Sequence, residues 1–249
     1  MSTPAPVVLV TGGSRGIGAA ICAAACDAGW TVVMTYRDNQ EAAEKQVAAL
    51  IEKGGQAGAY RADVAESASI ERLLGTVESR FGSLSGLVNN AGITGRIGPF
   101  VDLSESLLRR VMDVNVLGTM LYTQAAVRHW LSNGSTGVVV NVSSIASTLG
   151  SAGEYVHYAA SKAAIDTFTL GLAREVGPHG IRVNAVAPGT TQTDIHAAGG
   201  DPGRVERVAP RIPLGRAARP SEIAEVVVWL LSEKASYVTG SVVRAGGGL

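Results

Sequence analysis

The chain has 249 residues, 46% of them hydrophobic, enough for the core of one α/β unit or at most two small ones. Its 21 basic and 21 acidic residues cancel, which argues against a protein whose main partner is nucleic acid or an anionic membrane. Cys22 and Cys26 are the only cysteines and lie four apart on one helical stretch, so both read as small apolar core residues and not as a disulfide framework. Residues 1–6 lack a basic stretch followed by an apolar run, and no apolar segment is long enough for a bilayer. A cytoplasmic protein without a signal peptide is expected.

Residues 7–11 form a β-branched run ending in glycines, the pattern of a buried strand. An Ala-rich helix follows at 19–28 and stops at Gly29. A strand at 31–35 leads to an amphipathic helix at 41–53, and another strand at 56–61 to a helix at 67–81 with Ser67 as N-cap. Residues 87–89 are a short strand, 103–131 one or two helices, and 137–142 a strand of nearly pure valine. A long helix at 155–176, a strand at 181–187, a helix at 221–231 and a strand at 241–243 complete the chain.

This alternation predicts a parallel sheet of about seven strands with helices on both faces. No linker, charge block or repeat divides it, so 1–249 reads as one domain. The stretch 190–216 breaks the rhythm. It carries Gly199, Gly200, Pro202, Gly203, Pro210, Pro213 and Gly215 around a short helix at 204–208, and loops of this length are often lids.

Gly12, Gly16 and Gly18 lie between the first strand and the first helix. Gly12 permits the tight turn, Gly16 lets the backbone approach a pyrophosphate, and Gly18 lets the helix pack close to the sheet. The pyrophosphate would sit on the N–H groups of the helix start. After the second strand, Arg37 stands where dinucleotide enzymes choose between a ribose hydroxyl and a 2′-phosphate. Arg37 and Arg15 are the cations for that phosphate, so NADP(H) is favoured, with NAD(H) still open; Asp38 beside Arg37 counts against it.

Tyr158 and Lys162 are four apart, on one helical face. A nearby ammonium is expected to lower the phenol pKa and make it a general acid or base near neutrality. Ser144 follows the valine strand at the sheet edge where open α/β folds bind ligands, and its hydroxyl is placed to hold a substrate oxygen.

With Asp63 and Val64, Asn89 to Gly92, Asn115 after Asp113 and Val114, Arg182 to Asn184, and Pro188, Gly189 and Thr193, these motifs follow one order along nearly the whole chain. The sequence resembles the short-chain dehydrogenase/reductases, in particular a bacterial glucose-dehydrogenase-like or 3-oxoacyl-reductase-like branch. The resemblance implies a Rossmann-type doubly wound fold and a nicotinamide cofactor. Gly12, Ser14, Arg15, Gly16, Ile17, Gly18 and Arg37 would line its phosphates. Asp63 and Val64 would hold the adenine; Asn90, Ala91 and Gly92 the adenosine side; and Pro188, Gly189, Thr191 and Thr193 the nicotinamide end. Lys162 would bond the nicotinamide ribose, Asn115 would kink its helix and hold a water in a proton relay, and Tyr158 would protonate the carbonyl oxygen beside Ser144. Asn89 reads more simply as a tie between strands.

Two departures stand out. Ser144 precedes Tyr158 by fourteen residues, one more than the commonest spacing of the family, which leaves Ser143 as an alternative. Arg244 occupies a position where many members carry Asp.

His129, His157, His179 and His196 lack metal-ligand spacing, so no metal site is expected. His196 in the loop and Tyr155 are secondary candidates for substrate contact. Trp130 and Trp229 read as core or interface residues. Arg204, Arg207 and Arg211 would bind an acidic substrate or form a solvated helix face, and the spacing favours the face. The leading function is an NADP(H)-dependent oxidoreductase acting on a small carbonyl or alcohol, with 3-oxoacyl thioesters and sugars or polyols both open. The rival is a catalytically silent NADP-binding regulator, disfavoured because Asn115, Ser144, Tyr158 and Lys162 are all present. The resemblance also implies a homotetramer, with Leu117, Leu121, Ala125, Phe168 and Leu172 as contact candidates.

Overall fold

A computed structural model describes residues 4–249; the first three residues of the 1–6 segment lie outside the described residues. The chain alternates β1 (Val7–Val10), α1 (Gly16–Asp27), β2 (Thr31–Tyr36), α2 (Gln40–Glu52), β3 (Ala57–Arg61), α3 (Ile70–Phe81) and β4 (Leu84–Asn89). It continues with α4 (Glu105–Met112), α5 (Thr119–Asn133), β5 (Val138–Val142), α6 (Ala146–Leu149), α7 (Val156–Val176) and β6 (Arg182–Pro188). The last elements are α8 (Ile195–Ala198), α9 (Arg204–Val208), α10 (Pro220–Leu231) and β7 (Val242–Ala245).

The seven strands form one parallel sheet in the order β3-β2-β1-β4-β5-β6-β7. Alternate side chains of a strand face opposite sides, and both sides are covered. Val7 and Leu9 join Leu87, Val139 and Val183 against α3, α5 and α7, through Leu73, Val77, Tyr122 and Trp130. Val8 and Val10 join Val88, Val140 and Val186 against α1 and α10, through Ile21, Ile223, Val227 and Leu230. Burial on both faces explains why these strands read as unbroken apolar runs. The strand order reverses between β1 and β4, and open α/β sheets bind ligands at the carboxyl end of such a reversal.

Two local readings are corrected, and the choice between one helix and two at 103–131 is settled as two. Ser67 does not cap α3: Ser67–Ser69 is a separate 3-10 turn, no side chain caps it, and the helix begins at Ile70. The small residues Ser67, Ala68 and Ser69 extended the apparent helix because a 3-10 turn and a helix start accept the same small and polar residues. The first helix begins at Gly16, three residues earlier than its alanines suggested, because glycine masks a helix start. The 103–131 stretch is two helices, α4 and α5, joined by a π-helical turn at Asp113–Gly118. A Cβ on Gly118 would stand 2.7 Å from the Val64 carbonyl oxygen, so this turn packs backbone to backbone on the loop after β3.

Candidate active site

A single cleft of about 610 Å³ runs along the carboxyl ends of β1, β2, β4, β5 and β6. Its wall brings together Gly12, Ser14, Arg15, Gly16, Ile17, Gly18, Arg37, Asp63, Val64, Asn90, Ala91 and Gly92 with Ser144, Tyr158, Lys162, Pro188, Gly189, Thr191 and Thr193. Of the residues assigned to catalysis or cofactor binding, Asn115 alone is not on the wall; it is fully buried behind it.

The glycine loop is built around Thr11 and Asn90. Thr11 Oγ1 accepts from the backbone N–H of Asn90 and Ala91, at 3.1 Å each. Asn90 Nδ2 donates to the carbonyls of Thr11 and Gly12, at 3.0 and 2.9 Å. Gly16 sits at φ +55°, a left-handed conformation that glycine tolerates best. At Gly18 a Cβ would stand 2.1 Å from Gly12 O, so only glycine lets α1 approach the loop. The start of α1 has no side-chain cap and no acidic residue in its first turn. Its free N–H groups and the positive end of its dipole therefore suit a phosphate. Thr193 closes over the loop, its Cγ2 lying 3.3 Å from the Cβ position of Gly16.

At the far end of β2, Arg37 is half-exposed and paired with Asp38 at 2.6 Å. Asp63 is held by the Ala65 N–H at 3.0 Å and by Arg110 at 2.6 Å. Burial pushes the Asp63 carboxyl upward, but these two donors outweigh it and hold its pKa below the ordinary carboxylate value. Arg110 lines the cleft and was not singled out from the sequence; it lies 47 residues from its partner, so no spacing signal marks it.

Tyr158 and Lys162 project from the first two turns of α7, both buried. Lys162 Nζ donates to the Val142 carbonyl at 2.7 Å and lies 5.8 Å from the Tyr158 ring centre. Burial brings the Lys162 pKa down to about 8. The expected lowering of the Tyr158 pKa is not found. Burial pushes the phenol above its ordinary value, the nearby Ser144 hydroxyl pulls the other way, and the ammonium is turned to Val142. Of the two serine candidates, Ser144 lines the cleft beside Tyr158 on the same wall, whereas buried Ser143 donates to the Lys162 carbonyl at 3.3 Å.

Asn115 lies in the π-helical turn. Its Oδ1 accepts from Ile93 N–H, and its Nδ2 donates to Ile93 O and Ser161 Oγ, at 2.9, 2.9 and 3.0 Å. It thereby ties the loop after β4 to α7. Gly92 lies between these groups: a Cβ there would stand 3.4 Å from both Asn115 Oδ1 and Lys162 Nζ. Asn89 ties strands, donating to Thr123 Oγ1 and Asn141 Oδ1 at 2.8 Å each.

The loop after β6 overturns one reading. Arg204 is not on a solvated helix face; it is buried at 6% exposure, between Glu154 and Tyr155. Its Nη2 donates to the Tyr155 hydroxyl at 2.6 Å, and its guanidinium carbon lies 4.8 Å from that ring's centre. Tyr155 in turn meets Tyr158 edge-on at 5.3 Å. Arg207 remains half-exposed, paired with Asp201 and Glu154. Burial and the nearby Arg204 hold the His196 pKa below the ordinary imidazole value. His157 turns away from the cleft, its Nε2 at 2.8 Å from the Thr94 carbonyl. Trp130 is fully buried in the core, whereas Trp229 is 39% exposed.

A doubly wound sheet with a glycine-lined cleft at its reversal defines a dinucleotide-binding fold. The family profile described as Enoyl-(Acyl carrier protein) reductase matches residues 12–249. The chain is 45% identical over 244 residues to the protein named "Uncharacterized oxidoreductase YgfF" of Escherichia coli (strain K12), covering 97% of this chain and 99% of that one. It is 36% identical to Glucose 1-dehydrogenase 2 of Bacillus subtilis (strain 168), covering 97% and 93% of the two chains. A crystal structure of a dehydrogenase/reductase from Sinorhizobium meliloti 1021 superposes with a TM-score of 0.91 at 35% identity, covering 99% of this chain and 96% of that one. The chain belongs to the short-chain dehydrogenase/reductase family and is an NAD(P)-dependent oxidoreductase.

Proposed function

We propose that the protein interconverts a carbonyl and a secondary alcohol with NADP(H), using Tyr158 as the proton donor or acceptor. The observation that carries this reading is the one cleft shared by Arg37, the glycine loop, Lys162 and Tyr158. Its residues fit a nicotinamide dinucleotide. The uncapped start of α1 suits the pyrophosphate, Arg37 and Arg15 suit a 2′-phosphate, and the bare backbone at Gly92 leaves open the space beside Lys162.

When bound, the nicotinamide supplies or accepts hydride at the carbonyl carbon. The Tyr158 phenol gives its proton to the carbonyl oxygen in reduction and takes it back in oxidation, while the Ser144 hydroxyl holds that oxygen. A raised phenol pKa keeps Tyr158 protonated, the form that reduction requires. Lys162 adds positive charge beside the phenolate formed in turnover, and Asn115 fixes the loop that carries Gly92 against α7. We read 1–249 as one domain, residues 190–216 as a lid over the substrate, and the assembly as a homotetramer. Half-exposed Leu117 on the surface of the α4–α5 segment supports the last point.

The test is NADPH consumption, followed by absorbance, against ketones, aldehydes, diketones and acetoacetyl thioesters, with Tyr158→Phe in parallel. Turnover that disappears in the variant is the expected result. Turnover that survives it would remove Tyr158 from the chemistry.

A further inference from the structure

The substrate end of the cleft contains a charged side chain whose hydrogen-bonding capacity is not satisfied. Arg204 lines the wall at 6% exposure. Its Nη2 is used by Tyr155, but Nε and Nη1 are shut from solvent without an aligned acceptor among the described residues. The Nη1–Glu154 contact, at 2.5 Å, is a charge contact out of line for a hydrogen bond. On the same wall, His196 Nδ1 is also buried and unpartnered. Leaving such groups unsatisfied is costly, and a ligand that satisfies them gains in proportion.

The distance to the chemistry is short. Arg204 stacks on Tyr155, and Tyr155 abuts Tyr158, so the guanidinium is one aromatic ring away from the proton donor. A substrate that reaches both Tyr158 and Arg204 carries its second polar group some bonds away from its carbonyl. An anionic planar acceptor matches that group best, because guanidinium donors pair with a carboxylate in a fork. Glu154 is not part of the wall, and it has a second cation in Arg207, which it shares with Asp201. Its carboxylate therefore keeps a partner when Arg204 turns to a ligand.

Resting on the carbonyl–alcohol reading above, we propose that Arg204 is the specificity-determining residue and that the substrate is a short oxo acid or hydroxy acid whose carboxylate it binds. The apolar side chains of Leu149, Ile195 and Val208 on the same wall leave the remainder of the substrate hydrocarbon in character.

The experiment compares matched 2-oxo, 3-oxo and 4-oxo acids with their methyl esters, and sugars alongside, in wild type, Arg204→Met, Arg204→Lys and Tyr158→Phe. The ratio of kcat/KM for acid over ester is internal to each variant, so a general loss of folding does not move it. Thermal shift of the NADPH-loaded protein by acid and by ester gives a readout without turnover. Wild type is expected to favour at least one acid by tenfold or more, Arg204→Met to bring that ratio near one, and Arg204→Lys to fall between them. A wild-type ratio near one, a ratio preserved in Arg204→Met, or a preference for sugars overturns the proposal. So does the absence of turnover with acids and esters shifting the melting temperature alike. If the ratio fails while turnover still requires Tyr158, only the substrate class is wrong. If turnover survives Tyr158→Phe, the catalytic reading itself fails.

Discussion

Replacing Arg37 by alanine separates the two cofactors. In the structure its guanidinium is half-exposed and rests on Asp38, 2.6 Å away, so it must turn from that carboxylate to meet a 2′-phosphate. An exposed pair of this kind holds little energy and gives way easily. The phosphate contact is the stronger one, because a hydrogen bond to a charged group contributes about 1.5–3 kcal/mol. At tenfold per 1.4 kcal/mol, kcat/KM for NADPH falls about 10–150-fold in Arg37→Ala. NADH has no 2′-phosphate and loses little, and the melting temperature stays where it was. Asp38→Ala frees the guanidinium and raises kcat/KM for NADPH by no more than about fivefold. Initial rates with both cofactors at saturating carbonyl substrate measure all of this. Equal losses with NADPH and NADH, or no loss with either, would refute the assignment of Arg37 to the phosphate.

Three further substitutions test the framework. Gly18→Ala places a Cβ 2.1 Å from Gly12 O and 2.5 Å from Asn90 Nδ2, so the phosphate loop must open. Overpacking of about 1–3 kcal/mol lowers the melting temperature by roughly 2–12 °C and weakens cofactor binding, measured by NADPH fluorescence titration. Trp130→Phe removes the 2.6 Å bond from Nε1 to the Leu84 carbonyl and leaves that acceptor buried. About 1–3 kcal/mol is lost in urea unfolding, and kcat is unchanged because Trp130 lies away from the cleft. Lys162→Met reports the buried ammonium through pH. The native pKa of about 8 lies below the ordinary lysine value of 10.5, so the unfolded chain holds the proton more tightly. Wild type is penalised in full below pH 8, and the penalty fades as pH rises towards 10.5. The variant's stability relative to wild type should therefore be greatest near pH 7 and decline towards pH 10. A difference independent of pH would mean that Lys162 titrates normally.

The parts of this protein legible in its sequence are those set by local periodicity and by backbone constraint. Doubly buried strands need unbroken apolar runs, so Val7 to Val10 and Val138 to Val142 declared themselves. Gly12, Gly16 and Gly18 were visible because a strand-to-helix turn against a phosphate has little room for a side chain. Tyr158 and Lys162 were visible because a spacing of four shares a helical face. Boundaries at Gly16 and Ile70 were not, since glycine and serine serve turns and helix starts alike.

Tertiary structure alone decided how the charges are used. Arg204 meets Tyr155 across 49 residues, and Arg110 meets Asp63 across 47, so neither pairing leaves a trace in spacing. Burial set the Tyr158 pKa against the direction its lysine neighbour implied, because desolvation depends on everything packed around the phenol. A pattern along the chain reports which face of an element is apolar; whether a charged side chain ends on the surface or in a cleft depends on distant segments supplying its partners. In this chain the fold was written locally, and the far wall of the cleft was assembled by the loop after β6 closing on the residues just before α7.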